Sequence, residues 1–132
     1  FDPEGQHSVI DLMPDQLGVK MGGTMGLGAY PCKVKKGTKM YAAYKQDNIS
    51  ERNRHRFEFN NDYREAIQKG GMEICGTSPD GKLVEAVEIP ANDFFVGVQF
   101  HPEFKSRPNA AHPLFREFIA AAVRFSKKKK NV

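Results

Sequence analysis

The sequence predicts an α/β fold, and three observations carry that expectation. Short apolar runs alternate with helix-period segments across tight turns. The run over 94–100 (FFVGVQF) is apolar and stops abruptly at His101, Pro102 and Glu103. It reads as a buried strand that brings polar groups to its carboxyl end, where open α/β sheets place their ligands. The chain closes with an amphipathic segment over 113–126, the pattern of a helix packed on a core.

Taken in order, residues 8–13 form a strand closed by Pro14 and Asp15, and a flexible segment follows. Over 21–28 (MGGTMGLG), Gly22, Gly23, Gly26 and Gly28 free the backbone for positive φ or for close approach to a ligand. The cluster lacks the glycine–lysine–serine/threonine ending of a phosphate-binding P-loop. A short helix is expected over 39–45. Residues 51–60 read as extended, with Arg52, Arg54, Arg56 and Glu58 on one parity and Asn53, His55, Phe57 and Phe59 on the other. Strand geometry would separate a charged face from a partly apolar one, the composition of a solvated edge strand protected by charge.

A helix over 61–69 takes Asn61 as its cap and ends at Gly70 and Gly71. Strands over 72–78 and 83–89 flank Pro79-Asp80-Gly81, a turn signal with no catalytic content. After 90–93 comes the strand that feeds His101. The closing helix begins with His112 ahead of a proline at its first position. Leu114, Phe115, Phe118, Ile119, Ala122 and Phe125 form its core-facing stripe.

Composition bounds the function. The chain has 132 residues, 39% hydrophobic and 27% charged, which suits one globular domain. No run of about 18 apolar residues occurs and the start lacks a signal-peptide pattern, so a cytoplasmic protein without a membrane span is expected. The net charge of +4 has a local origin in Lys127, Lys128, Lys129 and Lys130. The rest is balanced, so the division is a body over 1–126 and a basic, solvated tail over 127–132, with no nucleic-acid partner. Cys32 and Cys75 are far apart, without metal-ligand spacing, and are expected to be buried thiols rather than a disulfide, a metal site or a nucleophile.

The chemistry is concentrated in His101 and Glu103. Pro102 biases His101 toward extended dihedrals, and residues two apart on an extended chain face the same side, so Glu103 can reach and orient the imidazole. This is the base and orienting half of a nucleophile–base–carboxylate triad. By spacing alone, a surface histidine beside a solvated glutamate fits equally.

A resemblance supplies the missing context. GVQFHPEFKSRP over 97–108 with HPLF over 112–115 resembles the C-terminal end of the class I, triad-type glutamine amidotransferases. MGGTMGLG over 21–28, RNRHRFEFN over 52–60, GTSPDGKLVEAVEIP over 76–90 and FDPEGQHSVI over 1–10 match the CTP synthase branch of that family in order and approximate spacing. The resemblance covers nearly the whole chain. It implies the C-terminal half of a flavodoxin-like, three-layer α/β/α domain. Its reaction would be hydrolysis of L-glutamine to glutamate and ammonia, with His101 relaying the proton and Glu103 orienting it. It further places Arg56 at the α-amino-acid end of glutamine and His55 near the path by which ammonia leaves. Residues 21–28 would form a lid linked to the activator GTP, although Gly26 stands where the family usually has an arginine, a charged donor suited to phosphate.

The resemblance also implies what lies elsewhere. The family's nucleophile sits on a turn of the type GICLGMQ, which this sequence does not contain. Its oxyanion loop and a glutamine-binding glutamate would precede Phe1. The chain is therefore expected to be a fragment, inactive toward glutamine alone and prone to associate through its open strand edges. No cofactor or metal is expected in it. Mg-ATP, UTP and GTP would belong to a separate synthase domain, in a homo-oligomer that is tetrameric in the family. The alternatives are another triad amidotransferase or glutamyl hydrolase, or an inactive amidotransferase-like module that regulates or scaffolds.

Overall fold

The structure, a computed structural model, describes residues 4–12 and 26–131. Strand β1 (Ile10–Leu12) pairs antiparallel with β4 (Phe57–Phe59) in a two-stranded ribbon. The main sheet has the order β3-β2-β5-β6-β7, from β2 (Gly26–Val34), β3 (Asn48–His55), β5 (Glu73–Thr77), β6 (Val84–Glu88) and β7 (Val96–Val98). Every pairing in it is antiparallel. Helices α1 (Lys39–Tyr44), α2 (Arg64–Lys69) and α3 (Pro113–Lys130) complete the fold.

Two apolar clusters sandwich the sheet. Cys32, Val34, Met40, Ala43, Ile49, Cys75, Ala86, Phe100 and Leu114 form the larger, which includes residues of α1 and α3. Phe59, Ile74 and Val84, with Val9 and Ile67 packed on them, form the other, on the α2 side. Adjacent residues of β5, Ile74 and Cys75, thus point to opposite layers, as strand periodicity requires. Val84 and Ala86 share a parity yet enter different clusters. The β5–β6 register shifts on either side of Gly76, first leaving Cys75 as an extra residue in β5 and then Glu85 as an extra residue in β6, so that Val84 and Ala86 no longer face alike.

Helix α1 agrees with the expected span, and its N-terminus is doubly held. Thr38 Oγ1 accepts from the Tyr41 amide at 3.1 Å, while the buried Glu88 carboxylate accepts from the amides of Lys39 and Met40, each at 3.1 Å. Four expectations are corrected. The segment over 26–34, whose residues 26–28 read as part of a flexible glycine stretch, is the nine-residue strand β2. The extended run over 51–60 breaks at Arg56, which separates β3 from β4, and the regular alternation is lost beyond it. Glu58 is therefore buried and Phe57 exposed, opposite to the expected faces. Asn60, not Asn61, caps the next segment, which opens as a 3-10 turn over Asn61–Tyr63 before α2. Most of the glycine lid, residues 21–25, lies outside the described residues, as do residues 1–3.

Three further corrections concern the edge of the fold. The strand before His101 spans Val96–Val98 and is half-buried, with β6 its only strand partner among the described residues. Helix α3 runs on through Lys130, so Lys127 to Lys130 are its last turn rather than a separate tail. Of its expected core stripe only Leu114 is buried, together with Ala121; Phe115, Phe118, Ile119 and Phe125 stay exposed. An apolar cavity of about 380 Å³ opens between this helix and β7, lined by Phe94, Val96, Val98, Leu114, Phe115 and Phe118. No helix among the described residues is long and apolar enough to cross a membrane.

Candidate active site

Beyond β7 the chain leaves the sheet edge and crosses toward β3. The Gln99 amide still donates to the Glu85 carbonyl of β6 at 2.8 Å, but its side-chain Nε2 donates to the Phe57 carbonyl at 2.6 Å. Two residues later the His101 amide donates to the Arg52 carbonyl at 2.9 Å. Phe100, between them, is buried in the main core and anchors the crossing. Residues 99–101 therefore run alongside residues 52–57, the stretch that contains His55 and Arg56.

His101 is extended, with φ −111° and ψ 90°, and immediately precedes a 3-10 turn over Pro102–Lys105. Proline suits the first position of such a turn, where no intrahelical partner for an N–H exists. Nδ1 of His101 lies 2.7 Å from Glu103 Oε1. The expected contact is present, but its cause differs from the expected one. It is made across a tight turn rather than along an extended chain. The imidazole also stacks on Phe104, with ring centroids 5.1 Å apart and planes 23° apart. Both partners are partly exposed, with side-chain accessibilities of 38% and 54%. The hydrogen bond from His101 holds the Glu103 carboxyl below its ordinary range.

With Nδ1 engaged by Glu103, Nε2 is the nitrogen left to exchange a proton with an incoming group. This arrangement can serve as an oriented general base, and its carboxylate can stabilise the imidazolium that forms. Arg56 sits half-buried in the break between β3 and β4. His55 ends β3, half-buried, paired in register with Gly26 at the start of β2. His101 is tied to Arg52 of β3, while His55 and Arg56 follow at and just past the end of the same strand. Among the described residues there is no cluster of three or more His, Cys, Asp or Glu able to hold a metal ion.

Neither cysteine is available as a nucleophile. Burial, with the charges of Glu85 and Glu51 adding to it, pushes the Cys32 thiol up to about 12. Burial likewise pushes the Cys75 thiol well above its ordinary value.

Sequence reasoning missed a second polar cluster. Glu51 Oε1 accepts from Nε2 of His112 at 2.8 Å and from the Tyr44 hydroxyl at 2.9 Å. Both side chains of the Glu51–His112 pair are only 2% accessible. Burial and the adjacent Glu51 raise the Tyr44 hydroxyl far above its ordinary value, so it keeps its proton and donates. The available signal was parity. Glu51 shares the buried side of β3 with Ile49 and Asn53, an unusual place for a carboxylate unless it is partnered.

Comparison with known proteins identifies the family and the fold. Residues 9–121 match the family model described as glutamine amidotransferase class-I. A CTP synthase of Carboxydothermus hydrogenoformans is 59% identical over 128 residues, 96% of this chain and 24% of the relative. A CTP synthase of Staphylococcus aureus is 54% identical over 130 residues, 98% of this chain and again 24% of the relative. The chain thus spans about a quarter of the length of these curated relatives. Among solved structures, the Trypanosoma brucei CTPS glutaminase domain with bound acivicin superposes with a TM-score of 0.86 at 38% identity, over 94% of this chain and 49% of that one.

Proposed function

The chain belongs to the class I glutamine amidotransferase family, and from that premise we propose that it forms the C-terminal half of the glutaminase domain of a CTP synthase. The observation that carries the catalytic part of this reading is the 2.7 Å contact between His101 Nδ1 and Glu103 on a turn held against β3. The acceptor part rests on the identity with CTP synthases over nearly the whole chain. The open edge of β7, the apolar cavity beside it and the exposed stripe of α3 suit docking of the other half of such a domain. The 49% coverage of the related glutaminase domain supports the same division.

In this reading a cysteine thiol from that other half attacks the side-chain amide carbon of L-glutamine. His101 takes the thiol proton through Nε2 and returns it to the departing amide nitrogen, which leaves as ammonia. Water then attacks the thioester with His101 again as base. A C–O bond forms, the C–S bond breaks, the thiol regains its proton and glutamate departs. Glu103 keeps the imidazole oriented and balances its charge. Arg56 is assigned to the α-amino-acid end of glutamine, where a guanidinium matches a carboxylate. His55, next to it, is assigned to the side from which ammonia leaves.

The ammonia would be consumed in the amination of UTP to CTP by a synthase domain elsewhere in the polypeptide, which would also bind Mg-ATP and the activator GTP. We assign the protein to the cytoplasm, as part of a homo-oligomer. Its two free, buried thiols fit a reducing compartment. The test is an acceptor assay on the full-length protein, supplied with UTP, ATP and either glutamine or an ammonium salt. CTP should form from both nitrogen sources. Formation of none from either, or productive transfer only to a different acceptor, overturns the assignment.

A further inference from the structure

The segment Ser50, Glu51 and Arg52 of β3 holds the catalytic turn with its backbone and the start of α3 with its side chain. The Ser50 carbonyl accepts from Lys105 Nζ at 2.5 Å, and the Arg52 carbonyl accepts from the His101 amide at 2.9 Å. Both ends of the Pro102–Lys105 turn are therefore tied to β3. Between these two carbonyls the Glu51 side chain points the opposite way, into the core, as alternation along a strand demands.

Glu51 then reaches the turn a second time, through His112. The His112 Nδ1 accepts from the Leu114 amide at 3.2 Å, which leaves the ring proton on Nε2, the nitrogen 2.8 Å from Glu51 Oε1. The His112 amide donates to Ser106 Oγ at 3.1 Å, and the Ser106 amide donates to the Glu103 carbonyl at 3.4 Å. The circuit closes: Glu51, Arg52, His101, Glu103, Ser106, His112 and Glu51 again. We propose that Glu51 and His112 are positioning residues of the glutaminase site, fixing the His101–Glu103 pair through Arg52 on one side and Ser106 on the other.

The inference rests on the glutaminase reading above and adds to it two residues that touch no substrate. Its physical basis is that a catalytic base displaced by about 1 Å can lose about 100-fold in rate, so the frame around the base matters as much as its identity. What the frame needs from Glu51 is one accepting oxygen. Oε1 supplies it, while Oε2 has no hydrogen-bond partner among the described residues. A glutamine side chain at position 51 keeps the accepting oxygen and replaces the unpaired one with an amide, so the role is geometric rather than electrostatic.

The test uses the full-length protein with Glu51→Ala, Glu51→Gln and Ser106→Ala. Glutamine hydrolysis, CTP formation from ammonium and thermal midpoint are measured for each. Glu51→Ala and Ser106→Ala should lower kcat for glutamine by about 10- to 100-fold relative to the ammonia reaction, with KM for glutamine within about twofold. Glu51→Gln should keep at least about a third of the wild-type kcat. Should Glu51→Ala fail to fold, Ser106→Ala still decides, because Ser106 is only half-buried and its loss opens the circuit without emptying the core. Wild-type kcat in Ser106→Ala, an equal loss of both reactions, or a Glu51→Gln as impaired as Glu51→Ala each overturns the proposal. A wild type that hydrolyses no glutamine overturns instead the reading on which the proposal stands.

Discussion

The amide of His101 and the carbonyl of Arg52 meet at 2.9 Å, so the histidine hangs on β3 and not on β7, the strand that leads to it. Arg56 follows four residues further along the same chain. The assigned general base is thereby referred to a strand of the main sheet, the assigned substrate-binding residue lies just past that strand's end, and the flanking 3-10 turn only has to present Glu103.

Glu103→Gln should reduce the glutaminase kcat by about 100-fold or more, because glutamine offers an acceptor to Nδ1 but no charge to balance the imidazolium. In wild type the hydrogen bond from His101 lowers the Glu103 carboxyl from its ordinary 4.5. A lowered folded-state value means that the carboxylate's contribution is complete above that ordinary value and is lost as pH falls through the lower one. A kcat profile should therefore show no loss attributable to Glu103 at neutral pH. A wild-type rate in the variant contradicts the orienting role.

Cys32 and Cys75 should resist alkylation by iodoacetamide at about pH 8 in the native protein and react only after unfolding, as peptide mass mapping would show. The Cys32 thiol is raised from 9.0 to about 12 by burial and by Glu85 and Glu51. With a raised folded-state value, its contribution to stability is fully present below 9.0 and is lost as pH rises toward about 12. Rapid modification of Cys32 in the folded protein would show that the core around β2 is open.

Gly76→Ala should destabilise the domain by about 1–3 kcal/mol, read as a lower thermal or denaturant midpoint. A Cβ at this position would stand 3.0 Å from both Ala86 Cβ and Cys32 Sγ. Both neighbours are buried, in strands β6 and β2, so they have little room to give way. An unchanged midpoint would mean that the β5 bulge relaxes freely.

Glu88→Ala should cost about 1–3 kcal/mol, since it removes the carboxylate that accepts from the Lys39 and Met40 amides at the buried start of α1. Thermal unfolding of the full-length protein would check it. A variant with wild-type stability would contradict the capping role.

What the sequence disclosed followed from how local each feature is. The His101–Glu103 pair spans two residues, and α1 is bounded by its own cap, so both were readable directly. Strand β2 was not, because Gly26 and Gly28 read as part of a flexible glycine cluster. It forms because β3 pairs with it along eight positions, while β5 joins at Lys33 and Val34 and leaves the flank near Pro31 without a strand neighbour among the described residues, where proline is tolerated. The inverted burial of Phe57 and Glu58 came from one break at Arg56, and period-two reasoning has no means to place such a break. Glu51 and His112 lie 61 residues apart, and only the tertiary fold brings them together. The apolar stripe of α3 was read correctly as apolar, but the surface that would bury it is not presented by the described residues.

The most direct test of the central claim is His101→Ala in the full-length protein, with CTP formation driven by glutamine compared with formation driven by free ammonium. The account predicts that the variant loses the glutamine reaction by about 100-fold or more while keeping the ammonia reaction, because His101 acts only in glutamine hydrolysis. A variant that keeps its glutamine-driven rate would contradict it.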